Sequence, residues 1–383
     1  MMSRDKRYAT GVALAWVLPF AVVAAMVAAD PSGHTVTPVY HRAVEAWWAG
    51  KSLYLGTNFG YFYFPQFAIF FTPFSLLPVW VGDNLWRLVS IGLLAWGTWR
   101  LLARLQWPDP EKAFLLVSIL TILPSLGALR NGQANLIFAA VLVHATVFLA
   151  EERWTAASLC LTGLLIIKPI ALAPLLLAPV AYRKLLKTLP VFLAVFLAFP
   201  FLFGNADYVF TQYRQLLDRL LTFSVTHNHI FADINGLLRT LGVYLPGGAS
   251  QLLRMLTGVI ALGLWIFAAR RNPEPGRALV LLALAATYLM LFNPMTEVNS
   301  YAIVAPAVAL FAVYYIEVEG RMALGWWLVF ADLSISLFPE VFRFLDRNFG
   351  LWWDPLMMLA GGGLLATGIL RNTVFTEKFS LHG

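Results

Sequence analysis

Apolar blocks long enough to cross a membrane follow one another along this 383-residue chain, with short polar turns between them. A helix needs about 20 apolar residues to span the hydrocarbon core of a bilayer. Charged residues make up 12% of the chain, against roughly 25% in soluble domains, which leaves too little polar surface for a soluble globule. The sequence therefore predicts an all-α, polytopic transmembrane protein with about 12 transmembrane helices.

The positions of Lys and Arg set the predicted orientation, because these residues collect in cytoplasmic turns. With both termini in the cytoplasm, the short outer turns hold little beyond Arg130 and Lys168, and basic residues such as those at 183–187 lie inside. Two long segments, 30–82 and 205–248, then lie on the outer side. The predicted spans are 9–29, 84–104, 113–129, 134–150, 155–167, 169–182, 188–204, 250–269, 278–293, 299–316, 323–338 and 355–370.

The first long outer segment contains two unusual stretches. Residues 36–54 predict an amphipathic helix at the membrane interface, because Val39, Ala43 and Trp47 share one helical face. Residues 64–82 are apolar but are interrupted by three prolines, which predicts a re-entrant or interface-lying segment.

The chain is interpreted as one integral membrane domain, 1–383, without a separate soluble domain. Its predicted parts are a first module at 1–204, which includes the outer loop 30–82, a second outer loop at 205–248, and C-terminal helices at 249–383.

Several functional classes are disfavoured by the residue pattern. The formal charge of +7 is spread over small basic groups, so no nucleic-acid partner is expected. Cys160 is the single cysteine, and His227 with His229 lack a clear third ligand, so no metal is predicted. The sequence also lacks a Walker loop, a dinucleotide fingerprint and the common hydrolase motifs, and no cofactor is expected.

The informative polar residues fall in the predicted outer turns, where they could form one pocket. Ionisable groups at membrane depth are expensive and therefore indicate function. Each has a simpler alternative: Asp30 could end the first helix in water, and Arg130 could be a snorkelling topology residue. Lys168, flanked by Ile167 and Pro169, needs an anion or water nearby. The clusters are Asp30 with His34 and Tyr40, the run 60–65, Arg130 to Asn135, Lys168-Pro169, His227 to His229 with Asp233, and Asn293 to Ser300.

In this order the clusters resemble the GT-C superfamily of membrane glycosyltransferases that use polyprenyl-phosphate sugars. The nearest group is glycosyltransferase family 87, which includes mannosyltransferases and arabinofuranosyltransferases. The resemblance covers about residues 30–300. It is carried by Val39-Tyr40-His41-Arg42-Ala43, by Tyr63-Phe64-Pro65-Gln66, by Asn131-Gly132-Gln133-Ala134-Asn135, and by Gly163 to Lys168-Pro169.

The resemblance implies a GT-C type fold in the plasma membrane, with the active site on the outer side. The enzyme would invert the anomeric centre as it moves a sugar from a polyprenyl-phosphate carrier to a glycan or glycolipid acceptor. The sugar would be mannose or a similar hexose, with arabinofuranose as an alternative.

The same resemblance assigns roles to the outer residues. The family's usual aspartate position is Val36 here, and Gln66 replaces a proline of its Tyr-x-Pro-Pro pattern, so the general base is expected at Asp30, with Glu297 as the alternative. Donor-phosphate binding is expected at Arg130, Lys168 and, more weakly, His229. Substrate binding is expected at His34, Tyr40, Tyr61, Tyr63, Asn131, Gln133, Asn135 and Asp233. A transporter or flippase for a lipid-linked solute, or a non-catalytic assembly subunit, are the rival interpretations.

The topology can be tested by cysteine accessibility in a Cys160→Ala background. A cysteine at Thr226 should react with an impermeant reagent from the outside, and one at Lys184 only from the cytoplasm. Labelling of position 226 only from the cytoplasm would overturn the predicted orientation.

Overall fold

The structure is a computed structural model that describes residues 4–54, 60–223 and 231–375. Within these residues the chain is helical and contains no strand, so the all-α prediction is confirmed for the described part. The α-helices are α1 (Arg4–Ala29), α2 (Thr37–Trp48), α3 (Pro65–Ser75), α4 (Val79–Leu102), α5 (Pro110–Asn131), α6 (Asn135–Ala150), α7 (Trp154–Ile167), α8 (Leu172–Ala181), α9 (Leu185–Ala198), α10 (Ala206–Phe223), α11 (Ile234–Thr240), α12 (Gly247–Arg271), α13 (Gly276–Phe292), α14 (Ala305–Glu317), α15 (Met322–Phe342) and α16 (Phe349–Leu370). Short 3-10 helices lie at Pro169–Ala171, Phe199–Leu202 and Val298–Ile303.

Six of the described helices are long and apolar enough to cross a membrane: α1, α5, α9 with the 3-10 turn after it, α12, α15 and α16. The remaining predicted spans coincide with α4 and with shorter apolar helices of 10–17 residues, or with such a helix and its adjoining 3-10 turn. The multi-pass membrane architecture is thus confirmed. The count of about 12 spans stays a prediction, because the shorter helices do not reach the length that a full crossing needs.

The helices differ in how much of their surface the protein covers. Helices α6, α13 and α14 are apolar on every side and buried along most of their length. By contrast, α1 exposes Leu14, Val17 and Leu18. A helix that is apolar all round belongs in an interior or in lipid, so α6, α13 and α14 form the centre while α1 faces the bilayer.

The apolar stretch predicted at 64–82 folds as two helices, α3 and α4, which meet at an angle of 118°. Pro78 disfavours a helical conformation at Leu77 and so interrupts the chain at this point. Gly82 allows the close approach of the two helices, since a Cβ there would lie only 2.0 Å from the carbonyl oxygen of Phe74. The geometry fits either a broken span or a re-entrant loop, and the re-entrant interpretation stays a prediction.

The amphipathic helix predicted at 36–54 is α2. Its buried face carries Tyr40, Ala43, Val44 and Trp47, and it packs on α3 within the protein. The apolar face is therefore covered by protein, and the placement of its exposed side at a membrane interface stays a prediction.

Turns that were predicted to share the cytoplasmic side contact one another. Arg100 donates to the carboxylate of Glu151 at 3.0 Å, and the Lys112 ammonium lies 2.9 Å from the carboxylate of Glu317. Each pair joins turns that are far apart in the sequence. The predicted alternation of inward and outward spans places the two turns of each pair on the same side of the membrane.

The two long outer segments also pack on each other. The predicted loop 205–248 contains helices α10 and α11, and the Gln212 side chain on α10 accepts from the backbone N–H of Leu53 at 2.9 Å. Ser52 donates to Gln215 at 2.6 Å. The contacts group these segments on one side, while the side itself and the proposed domain divisions stay predictions.

A buried ion pair on α4 holds the C-terminal end of α5. Arg87 is 1% exposed, and its guanidinium donates to the main-chain oxygens of Leu129 at 2.9 Å and Arg130 at 2.8 Å. The last carbonyls of a helix have no partner within the helix. The Leu129 oxygen also accepts from the Gly132 N–H at 3.2 Å, so Arg87 adds a second hydrogen bond there and satisfies the Arg130 oxygen. Asp83, one turn earlier, lies 3.9 Å from the same guanidinium.

Asp83 in turn ties α2 to the bend between α3 and α4. Its carboxylate is fully buried and accepts a hydrogen bond from the Thr37 hydroxyl. The Nε2 atom of His41 lies 2.9 Å from the other carboxylate oxygen, and His41 Nδ1 pairs with the Ser75 hydroxyl at 2.6 Å. One carboxylate therefore connects three helices around the first outer segment.

Replacing Arg87 by Met tests this arrangement. The change leaves the Arg130 main-chain oxygen without its donor and Asp83 without its cation, and breaking a buried ion pair costs about 3–5 kcal/mol. We expect a much lower thermal unfolding midpoint for the purified protein in detergent.

The matched control is Arg42→Met, which removes an exposed arginine from α2 and should leave the midpoint near that of the wild type. Equal midpoints for the two variants would show that Arg87 does not hold the helices together.

Candidate active site

The turn from α5 to α6 is shaped by a glycine. Gly132 ends α5 in the left-handed conformation, with φ of 62°, a conformation that costs energy for residues with a Cβ. A Cβ at this position would also lie 2.8 Å from both the Arg87 guanidinium and the Thr37 side chain. The turn therefore packs directly on α2 and α4 and sets the direction in which the following polar residues point.

Tyr40 of α2 reaches the first turn of α6. The backbone N–H of Ala134 donates to its hydroxyl at 3.2 Å, and the Tyr63 hydroxyl lies 3.0 Å away. Burial raises the pKa of Tyr40 to about 12, so the phenol is protonated at neutral pH. Tyr40 and Tyr63 thus form a pair of neutral hydroxyls beside the turn.

Glu297 meets the same turn from the other half of the chain. The Gln133 side chain donates to its carboxylate at 2.7 Å. Glu297 and Ser300 also form a reciprocal capping box at the start of the 3-10 helix Val298–Ile303. The carboxylate is exposed, so it is oriented by two neighbours and yet open to a substrate.

Asn135 holds this arrangement in place through hydrogen bonds. Its amide nitrogen donates to the Gln133 side chain at 2.6 Å and to the main-chain oxygen of Asn299 at 3.1 Å. Its Oδ1 atom is buried and has no hydrogen-bond partner in the part of the chain that the structure describes. Buried polar atoms normally have a partner, so a bound group such as a substrate hydroxyl could complete the site.

Lys168 supplies the positive charge of the site. It lies in extended conformation between α7 and the 3-10 helix Pro169–Ala171, where the helical path is interrupted. Burial lowers the pKa of Lys168, and the charge of Glu297 partly opposes this effect. Within residues 4–54, 60–223 and 231–375 its ammonium has no hydrogen bond or ion pair. A buried cation without a partner is costly, which makes Lys168 a candidate ligand for an anion.

The structure thus brings six of the predicted residues around one turn: Tyr40, Tyr63, Gln133, Asn135, Lys168 and Glu297. A protonated phenol pair, a cation and an accessible carboxylate can together hold a phosphate, hydrogen-bond a sugar and accept a proton.

Four other predicted residues follow the ends of α1 and α5. Asp30 is exposed and accepts hydrogen bonds from Ser32, and His34 is exposed with φ of 51°. Arg130 contacts the Met26 sulfur at 3.5 Å, on the side of α1. The main-chain oxygen of Asn131 accepts from Val36. None of these described contacts joins the four residues to Glu297.

Two further predicted residues have structural partners. Tyr61 is buried and donates to the main-chain oxygen of Phe64 at 2.9 Å. Asp233 caps α11 by accepting from the backbone of Gly236 at 3.0 Å, and burial raises its pKa to about 6. Their roles in substrate binding stay predictions. His227 and His229 lie outside the described residues.

Among the described residues, no three His, Cys, Asp or Glu side chains come together in a way that could hold a metal ion.

Asp83 and Arg87, which position the turn between α5 and α6, were not among the residues predicted from the sequence. Both lie in or beside an apolar block that was interpreted as a span beginning at residue 84. Their i, i+4 spacing around Trp86 was the available signal, because opposite charges one helical turn apart form a pair. A charged pair at the end of an apolar helix indicates a specific internal role.

The helices and the polar group at their ends define a multi-pass membrane protein with a cluster of polar residues around one turn. The sequence pattern of glycosyltransferase family 87 matches residues 61–294 of the chain. This match covers more than half of the sequence, and the chain belongs to glycosyltransferase family 87. Comparison with curated proteins gives no match.

Family membership confirms the resemblance seen in the sequence and makes the protein a membrane glycosyltransferase. The matched region contains Tyr63, Gln133, Asn135 and Lys168, while Glu297 follows just after its end.

Proposed function

We propose that the chain transfers a sugar from a polyprenyl-phosphate carrier to a hydroxyl of a glycan or glycolipid, with inversion at the anomeric carbon and on the outer side of the membrane. The observation that carries the proposal is the juxtaposition of Lys168, a cation without a partner in the described chain, with the exposed carboxylate of Glu297. The donor would carry mannose or a similar hexose, with arabinofuranose as the alternative.

Lys168 binds the donor phosphate in this proposal. The bond between the anomeric carbon and the phosphate oxygen breaks with its electron pair, so negative charge grows on the leaving phosphate. A nearby ammonium in a site with little water stabilises that charge more in the transition state than in the bound donor. Arg130, the second predicted phosphate ligand, contacts Met26 of α1 with its side chain, and its role at the phosphate stays a prediction.

Glu297 acts as the general base. The acceptor oxygen forms a bond to the anomeric carbon from the side opposite the phosphate, and its proton passes to the Glu297 carboxylate. Gln133 and the capping box hold that carboxylate in place, which lowers the entropic cost of reaching the reactive geometry. Asp30, the other predicted base, is exposed and has hydrogen bonds only to Ser32 among the described contacts.

The phenol of Tyr63 is placed to donate a hydrogen bond to the sugar. Tyr40 is 1% exposed, and its hydroxyl accepts from the Ala134 N–H and pairs with the Tyr63 hydroxyl. When Tyr40 donates to Tyr63, the Tyr63 proton is free for the substrate. Burial raises the pKa of both phenols, and a neutral donor suits the uncharged hydroxyls of a sugar.

Glu297→Gln keeps the size of the side chain and removes its basicity. With a radiolabelled polyprenyl-phosphate sugar and a membrane acceptor fraction, we expect transfer to fall by about 10²–10⁴-fold, while donor binding is retained.

Asp30→Asn and Glu45→Gln are the matched controls, since both change exposed carboxylates of the outer segment. Loss of transfer in Asp30→Asn with normal transfer in Glu297→Gln would move the base to Asp30. Normal transfer in both variants would exclude both carboxylates as the general base.

Lys168→Ala should weaken the use of the donor by about 2–4 kcal/mol of transition-state stabilisation. The measurement is the ratio kcat/KM for the polyprenyl-phosphate sugar. Lys187→Ala, which removes an exposed lysine from the predicted cytoplasmic side, should match the wild type. A normal kcat/KM in Lys168→Ala would exclude this lysine from phosphate binding.

A further inference from the structure

A cavity lies between α13, α14, α15 and α16. About 610 Å³ of space that no protein atom fills lies there, and part of it is open to the outside. Its wall is apolar almost throughout, with side chains such as Val308, Phe311, Leu328 and Met358. Water is poorly held by such a wall, because it would find few hydrogen-bond partners there.

Glycines on α16 leave this space open. Gly361 and Gly368 both line the cavity and lie seven residues apart, on one face of the helix. A Cβ on Gly361 would make only ordinary contacts with Trp327, the nearest at 3.8 Å. Leu364, which is exposed, lies at the edge of the cavity. The cavity is therefore accessible from the lipid-facing side of α16.

Arg321 lines one end of the cavity. Its guanidinium donates to the main-chain oxygen of Thr373 at 2.6 Å and lies 4.8 Å from the centre of the Tyr315 ring. In the described part of the chain it forms no ion pair with a carboxylate. Glu319, the nearest acid in the sequence, accepts a hydrogen bond from the Tyr314 hydroxyl.

The same end of the cavity coincides with the start of a helix. Arg321 is the N-cap residue of the 21-residue helix α15, and no side chain caps its first N–H groups. A helix N-terminus attracts anions through these donors and through the helix dipole. An arginine and an uncapped helix start at the mouth of an apolar cavity are complementary to a phosphate with a hydrocarbon chain attached.

We propose that this cavity binds an anionic glycerophospholipid, with one acyl chain between α14 and α16 and the phosphate at Arg321. A soluble ligand would not reach a cavity that is accessible from the lipid side, and a lipid without net charge would leave the guanidinium without a full counter-charge. The phosphate end of the site, at Arg321, follows α14, whereas Glu297 precedes that helix. The proposal does not depend on the glycosyl-transfer mechanism.

Two substitutions on the same helix test the acyl-chain cavity. Gly361→Leu places a side chain inside the cavity, whereas Gly363→Leu places the same side chain at an exposed position with no atom within 4 Å of the added Cβ. The full-length protein is delipidated in detergent, titrated with phosphatidylglycerol and examined by native mass spectrometry. We expect one tightly bound lipid in the wild type and in Gly363→Leu, and at least tenfold weaker binding in Gly361→Leu. Equal binding in the two variants would overturn the proposal.

The phosphate contact is tested separately by Arg321→Gln. The wild type should prefer phosphatidylglycerol over phosphatidylcholine, and the variant should lose this preference while still binding both lipids. Arg183→Gln, which changes an exposed arginine on the same predicted side, should keep the preference. A preference that survives Arg321→Gln, or that is absent from the wild type, would contradict the assignment of the phosphate to Arg321.

Discussion

The C-terminal end of α5 is held by Arg87, which reaches its last main-chain carbonyls from α4. The guanidinium donates to two of these carbonyls, and Asp83 balances its charge from the preceding helical turn. A buried cation is expensive unless its donors and its charge are both satisfied. Asp83 also bonds to Thr37 and His41, so one ion pair determines how α2, α4 and α5 pack together. The position of the turn at Gly132 depends on this packing.

The candidate active site follows from the geometry of this turn. Gln133 and Asn135 point from the turn toward Glu297 and Ser300, while Tyr40 contacts the backbone between them. The site separates its charges by environment: the carboxylate of Glu297 is exposed, and the ammonium of Lys168 lies among apolar residues. A lipid-linked donor presents its phosphate at membrane depth and its sugar nearer to water, so this separation suits such a substrate.

The two ends of the C-terminal helices have different chemistry. Near Glu297 the polar residues converge on one another and on a turn that is far away in the sequence. Near Arg321 the side chains leave an apolar space, because α16 carries glycines where larger residues would fill it. A protein that works on lipid-linked substrates requires stable packing within lipid, and an ordered phospholipid between α14 and α16 would serve that purpose.

The sequence by itself determined that the chain is an all-α membrane protein of glycosyltransferase family 87, and six of its predicted site residues lie around one turn in the structure. Hydropathy is a local property, so each apolar block could be recognised without knowledge of its neighbours. The number of spans is harder to predict from the sequence, because length decides whether a short apolar helix such as α7 or α8 crosses the membrane. The pattern of Lys and Arg indicates where helices end but not how deep they lie in the membrane.

Only the tertiary structure decided which polar residues work together. The sequence favoured Asp30 as the general base and gave Glu297 as the alternative, but Glu297 is the one bonded to Gln133, 164 residues earlier in the chain. The ion pair of Asp83 and Arg87 was missed because both residues adjoin an apolar block, where the local pattern indicates only a helix. Contacts between distant segments depend on how helices pack, and the periodicity of one helix contains no information about its partner.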